Sequence, residues 1–190
     1  MLKDILKQSR SYRRFYQEIP IPREELLDWV DNTRYCPSGM NAQIFKYKVV
    51  TEPEECAKIF ASFRWAAALK DWDGPAEGER PVAYIILADD LRIGENRKCD
   101  AGIVSQTIML SAVEGGYGGC MLGNFDRKQL ARDLGMDSER YTIELVLAFG
   151  KPKEKIKIVP VAEDGSTAYY RDEEQIHYVP KRSLSDIILP

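Results

Sequence analysis

Apolar positions along this chain follow two alternating periods. Leu2, Ile5 and Leu6 share one face of a helix over residues 2–8. A second helix opens in "IPIPREELLDWVDNTRY". Pro22 takes its first helical position, Glu24 and Glu25 sit near its positive end, and Leu26, Leu27 and Val30 form its apolar stripe. "CPSGMNAQ" breaks that period, because Pro37 and Gly39 are turn residues. "IFKYKVV" alternates as a strand with Phe45, Tyr47 and Val49 on one face. Thr51 and Glu54 have capping-box spacing for a helix over residues 54–63. "KDWDGPAEGERP" reads as a loop, and "VAYIILA" as a strand buried on both faces.

Residues 100–115 form a helix with almost no polar face, which implies burial in a core or against a partner. "GGYGGCML" turns into a short strand. Asp126 caps the next helix, with Gln129 at the box position and Gly135 at the end. "YTIELVLAFG" is another buried strand. The tail from Lys151 carries Pro152, Pro160 and Pro180 and reads as extended, suited to packing on a partner subunit. Interleaved helices and strands predict an α/β or α+β sandwich around one central sheet, with residues 1–190 as a single domain.

Composition narrows the function. The 190 residues carry 27 basic and 30 acidic side chains, and a pI near 5.4 argues against the broad basic field that nucleic acid needs. No apolar run has the length of a signal peptide or a membrane span, so a cytoplasmic location is expected. Cys36, Cys56, Cys99 and Cys120 form no CxxC pair, which gives no metal site and suits reduced thiols. His177 is the single histidine, and no GxSxG, HExxH or P-loop pattern occurs. An enzyme of this composition would rely on a cofactor for its chemistry.

"SRSYRRF" concentrates positive charge near the start. If the first helix continues past Ser9, Arg10, Arg13 and Arg14 share one face. They form either a solvated basic turn or, with Ser11, a clamp for phosphate oxygens. Lys181 and Arg182 form a second basic pair in "YVPKRSL". Ser38, Asn41 and Gln43 either close a turn or offer hydroxyl and amide groups to a heterocycle. Gly118, Gly119 and Gly123 permit close backbone approach or tight turns, but their spacing is not that of a dinucleotide fingerprint.

Taken in order, these segments resemble the FMN-dependent nitroreductase family. "RSYRRF" is similar to its N-terminal motif and "PSGMNAQIFKYKVV" to its Pro-Ser, Asn-x-Gln loop and following strand. "DAGIVSQTIMLSAVEGGYGGCMLGNFD" resembles its central helix, turn and strand. "IELVLAFGKPKE" and "YVPKRSLSDIIL" resemble its late strand and closing tail. The resemblance implies an α+β, α/β/α sandwich with a central mixed, mainly antiparallel sheet and an extended C-terminal tail. It also implies a homodimer with FMN at the subunit interface. Arg10, Ser11, Arg182 and Lys181 would then hold the phosphate, and Arg13 the flavin pyrimidine edge. Pro37, Ser38, Asn41 and Gln43 would approach the flavin, partly from the other subunit, and Met121, Leu122 and Gly123 would lie beside its ring. The chain departs from the pattern at two sites: Ser9 stands where the family often has arginine, and Ile44-Phe45 where it usually has Pro-Trp. Arg64, Trp65 and Trp72 are candidates for a substrate lid.

The activity so implied is electron transfer from NAD(P)H through flavin N5 to a small organic acceptor such as a nitroaromatic or quinone. A reductive dehalogenase or an oxygen-using flavin enzyme is the alternative within the family. A non-catalytic flavin carrier or an anion-binding module is the alternative outside it.

Overall fold

The computed structural model of the chain describes residues 1–65 and 72–189. Helix α1 (Leu2–Gln8) leads through an extended strap to β1 (Phe15–Tyr16), α2 (Arg23–Asn32), β2 (Phe45–Val50) and α3 (Pro53–Ala61). Then follow β3 (Ala83–Asp90), α4 (Lys98–Glu114), β4 (Gly118–Leu122), α5 (Arg127–Asp133) and β5 (Tyr141–Pro152). The tail adds β6 (Ile156–Pro160), β7 (Tyr170–Arg171) and β8 (His177–Lys181).

Strand β5 organises the main sheet. It pairs antiparallel with β3 along one edge and with β4 and then β1 along the other, while β2 lies beyond β3. The named pairings of this sheet are all antiparallel. Parallel pairing appears at the Ser11–Gly119 bridge and between β6 and β8 in the tail. The tail is therefore a small three-stranded sheet, ordered β6-β8-β7, rather than a merely extended segment.

Alternate residues of β3 face opposite layers, as a period of two requires. Tyr84 and Ile86 pack with Cys56 and Ile59 of α3 and Leu130 of α5. Ala83 and Ile85 pack with Leu26 and Trp29 of α2 and Ile108 and Met109 of α4. This is the expected α/β/α sandwich, and all eight residues of β3 are buried. Leu87 opposes Leu145 but Ala88 opposes Ile143, so Glu144 bulges out of the ladder. The extra residue carries Ile143 to the α3/α5 side, away from the face of Leu147 and Phe149.

Several local expectations are corrected. Pro22 is the N-cap of α2 rather than its first helical residue, and the buried stripe is Leu26 with Trp29, while Leu27 is exposed. Pro53 occupies the first turn of α3 after Glu52, so Thr51 does not cap it. Asp126 does cap α5, accepting the Gln129 N–H at 2.9 Å, and Gly135 ends it at φ 62°. A positive φ of this size suits glycine.

Phe149 is fully buried and its ring centroid lies 5.2 Å from that of Trp29. Phe149→Ala is expected to lower unfolding free energy by about 3–5 kcal/mol in urea titration, while Leu2→Ala at the exposed α1 surface changes it by less than about 0.5 kcal/mol. Equal midpoints for the two variants would refute this account of the core.

Candidate functional site

The basic segment leaves the helix before its arginines begin. α1 ends at Gln8, and Ser9 turns extended at φ −72° and ψ 90°. Arg10, Arg13 and Arg14 therefore do not share a helical face. Ser11 bridges Gly119, and the Tyr12 N–H donates to the Gly119 carbonyl at 2.9 Å. The glycines explain this approach. A Cβ on Gly118 would stand 2.6 Å from the Tyr12 ring, and one on Gly119 would stand 2.6 Å from the Ala148 carbonyl oxygen. Gly118 thus leaves room for the strap's Tyr12, and Gly119 for the close approach of β5.

An extended strap separates its arginines. Arg14 belongs neither to a solvated turn nor to a clamp: it forms a two-pronged pair with Glu79, its Nη2 donating to Oε1 at 2.8 Å. Lys153 joins the same carboxylate at 2.9 Å. Arg10 and Arg13 face a cavity of about 290 Å³, together with Ser9, Ser11, Met121 and Lys181. Arg10 Nη2 donates to the Leu6 carbonyl at 3.0 Å, while its Nε is buried without a partner. Arg13 Nη1 donates to the Ser11 carbonyl, and its guanidinium lies 5.4 Å from the Tyr169 ring centre. Tyr169 and His177, stacked at 5.1 Å, supply the tail's side of the cavity, and Gln106 and Met109 supply the side from α4.

Behind this wall lies a group that the sequence did not single out. Glu154 is buried, its side chain fully so. It accepts the Arg13 backbone N–H at 2.9 Å and a hydrogen bond from Arg171 Nη2, and His177 Nδ1 lies 3.4 Å away. Burial alone raises a carboxyl pKa. Here His177, the Arg13 N–H and Arg171 outweigh it and hold Glu154 below the usual carboxylate range. The only sequence signal was an acidic residue just after a buried strand, in "GKPKE".

The "PSGMNAQ" loop lines a different cavity, of about 220 Å³, which includes Pro37, Ser38, Gln43 and Asp100. Met40, Asn41 and Gln43 hold positive φ values of 57°, 53° and 48°, a costly conformation for non-glycine residues. Asp100, in the first turn of α4, supports the loop by accepting the Ser38 hydroxyl and the Gly39 N–H, both at 2.9 Å. Gln43 Nε2 donates to Asn41 Oδ1 at 3.0 Å, and the Gln43 N–H donates to Ser38 Oγ at 3.1 Å. Within this chain the polar groups of the loop thus perform turn chemistry. The two cavities share no lining residue, although α4 borders both.

The remaining candidates scatter. Arg182 and Gly123 are exposed and line neither cavity, and Leu122 points into the α3/α5 layer. Trp65 is buried in that layer against Phe60 and Phe63, which makes it a packing residue in this chain. Trp72 lies 4.4 Å below the Arg171 guanidinium, and Arg64 is exposed. Burial pushes the Cys56 thiol up to about 12 and raises Cys120 as well, so neither is poised as a thiolate. Among the described residues no His, Cys, Asp and Glu cluster fits a metal ion, and no helix is long and apolar enough to cross a membrane.

An antiparallel sheet between helical layers, with a basic cavity beside its β4 edge, defines the class of protein. The Nitroreductase family pattern matches residues 6–151, and the chain belongs to this family. It is 27% identical over 181 residues to the Bacillus subtilis protein named "Putative NAD(P)H nitroreductase YdgI", covering 78% of this chain and 87% of that one. A Desulfovibrio desulfuricans protein solved in complex with FMN superposes with a TM-score of 0.72 at 20% identity, over 100% of this chain and 95% of that one. A nitroreductase family protein from Streptococcus pneumoniae TIGR4 gives 0.71 at 16% identity, with 100% of both chains covered.

The Arg14 pair sets an acid limit. The hydrogen bond from Arg14, reinforced by Lys153, lowers Glu79 to about 2 although burial opposes it. A depressed carboxyl pKa stabilises the fold fully above the unfolded value of 4.5, and that stabilisation is lost as pH falls towards about 2. Glu79→Gln is expected to flatten this part of the stability–pH curve, read by urea unfolding at stepped pH. An unchanged slope would exclude Glu79 as a source of acid sensitivity.

Proposed function

We propose that this chain is an FMN-dependent oxidoreductase that takes electrons from NADH or NADPH and passes them to a small organic acceptor, with a nitroaromatic or a quinone as test substrates. We further propose that residues 1–190 act as one domain and that two chains form a homodimer. The observation that carries this reading is the convergence of Arg10, Ser11, Arg13 and Lys181 on one cavity. Arg10, Arg13 and Lys181 make no ion pair among the described residues, and the buried Arg10 Nε lacks a partner. An unneutralised set of this kind suits a phosphate monoester. Family membership, the FMN complex of the similar D. desulfuricans protein and the name of the B. subtilis relative support the same choice.

Arg10, Ser11 and Lys181 would hold the phosphate of FMN, with Arg182 joining them. Arg13 would face the pyrimidine edge, where a fixed positive charge favours the anionic reduced ring. Met121 and Met109 line the cavity and would offer apolar surface to the ring. The loop from Pro37 to Gln43 lines a separate cavity in its own chain, so its family role calls for a second subunit to bring it to the flavin. FMN, when bound, supplies the hydride-accepting centre. The chain would supply orientation, charge and shelter from water, which accords with its single histidine lying buried 3.4 Å from Glu154.

The test is spectroscopic. Purified protein mixed with FMN is expected to retain a flavin spectrum through gel filtration at the mass of a dimer, to bleach with NADH or NADPH, and to recover on addition of a quinone. Arg13→Ala is expected to slow bleaching by about tenfold or more without changing the melting temperature. Protein that cannot retain FMN would overturn the reading. Retained flavin that no nicotinamide cofactor reduces would identify a carrier instead.

A further inference from the structure

Glu154 occupies an unusual place for an acidic residue. It contacts Arg13 and His177 of a cavity whose identified charges are positive, yet its carboxylate is fully shielded from solvent and is not part of the cavity lining. Its three neighbours belong to separate parts of the chain. Arg13 is in the N-terminal strap, Arg171 in β7 and His177 in β8. Both oxygens are engaged: Oε2 accepts the Arg13 N–H, while Oε1 faces Arg171 and His177.

Each contact bears on the cavity. The Arg13 N–H bond fixes the backbone that launches the Arg13 guanidinium. His177 stacks on Tyr169, and Tyr169 lies beneath that same guanidinium. Arg171 is held from its other side by the face of Trp72. A buried carboxylate accepting from several donors is directional and costly to leave unpaired, so it locks these elements together. Arg10, by contrast, hangs from the end of α1 through the Leu6 carbonyl and makes no contact with Glu154.

We infer that Glu154 is a positioning residue that aims Arg13 and closes the Tyr169–His177 wall, and so sets affinity for the flavin ring rather than for the phosphate. This rests on the FMN reading above. It divides the cavity into two independently supported ends: Arg10, Ser11 and Lys181 for the phosphate, and Arg13 on its Glu154 anchor for the ring.

Riboflavin, which lacks the phosphate, separates the two ends. Full-length protein freed of flavin is titrated with FMN and with riboflavin by fluorescence quenching. Glu154→Gln is expected to weaken both ligands by a similar factor, about tenfold or more. Arg10→Ala is expected to weaken FMN alone. In the ligand-free protein, amide hydrogen exchange at Arg13 is expected to quicken in Glu154→Gln, which activity measurements would not reveal. Should that variant fail to fold, Glu154→Asp keeps the charge but withdraws it from the Arg13 N–H, and the same paired loss is expected. Unchanged affinity for both ligands, or a loss confined to FMN, overturns the inference while leaving the FMN reading intact. Wild-type protein that binds neither ligand overturns both.

Discussion

Strand β5 is hydrogen-bonded along both edges, and the placement of nearly everything else follows from that. With β3 on one side and β4 on the other, its central residues have no solvent-facing edge and no solvent-facing surface. Leu147 and Phe149 then require a helical layer on one face, and Val146 and Ala148 require one on the other. The β4 edge ends where the N-terminal strap joins it through Ser11 and Gly119. The basic cavity is thus a consequence of how the sheet is finished. The strap closes the β4 edge, and its side chains project towards the tail that continues beyond β5.

Charge is distributed by the same geometry. An extended backbone sends successive side chains to opposite sides, so Arg13 and Arg14 meet different environments although they are neighbours in sequence. Arg14 meets Glu79 and is neutralised in a partly buried pair. Arg13 meets Tyr169 and the cavity, while its backbone meets Glu154. One carboxylate thus consumes an arginine for stability, and the other holds an arginine's backbone while leaving its side chain available. The departure at Ser9 lies in the same cavity: Ser9 is buried on its lining, so the positive charge there comes from Arg10, Arg13 and Lys181.

The layered fold was legible because its signals are local. Alternation marked β2, continuous apolar runs marked β3 and β5, and the Asp126–Gln129 spacing marked the start of α5. Thr51 misled because Pro53, two residues on, is a stronger first-turn residue and moved the cap to Glu52. The arginines misled for a different reason. Their i, i+3, i+4 spacing is informative only on a helix, and the exit at Ser9 is coupled to a bridge with Gly119, more than a hundred positions away. Glu154 was invisible on the same grounds, since its bond to Arg13 spans 141 residues. The division of the candidate residues between two cavities also depends on tertiary geometry, because Asp100 anchors one loop while the strap and tail enclose the other space.

The tail completes the cavity. The family pattern ends at residue 151, yet Glu154, Tyr169, His177 and Lys181 all lie after it. A chain cut near residue 151 would keep the sheet edge, the strap and Arg10, but Arg13 would lose both the acceptor for its backbone N–H and the aromatic face under its guanidinium. The parallel pairing of β6 with β8 is what returns His177 to Glu154, because β6 begins two residues after Glu154 and Ile156 stands opposite His177. Register in the small sheet therefore determines where the one histidine and the stacked tyrosine meet the strap. A slip of one residue would turn His177 to the other face of its strand and leave a buried carboxylate short of a partner. The constraint runs in both directions: the tail orders the strap, and the strap's N–H helps to justify the buried charge on which the tail is folded.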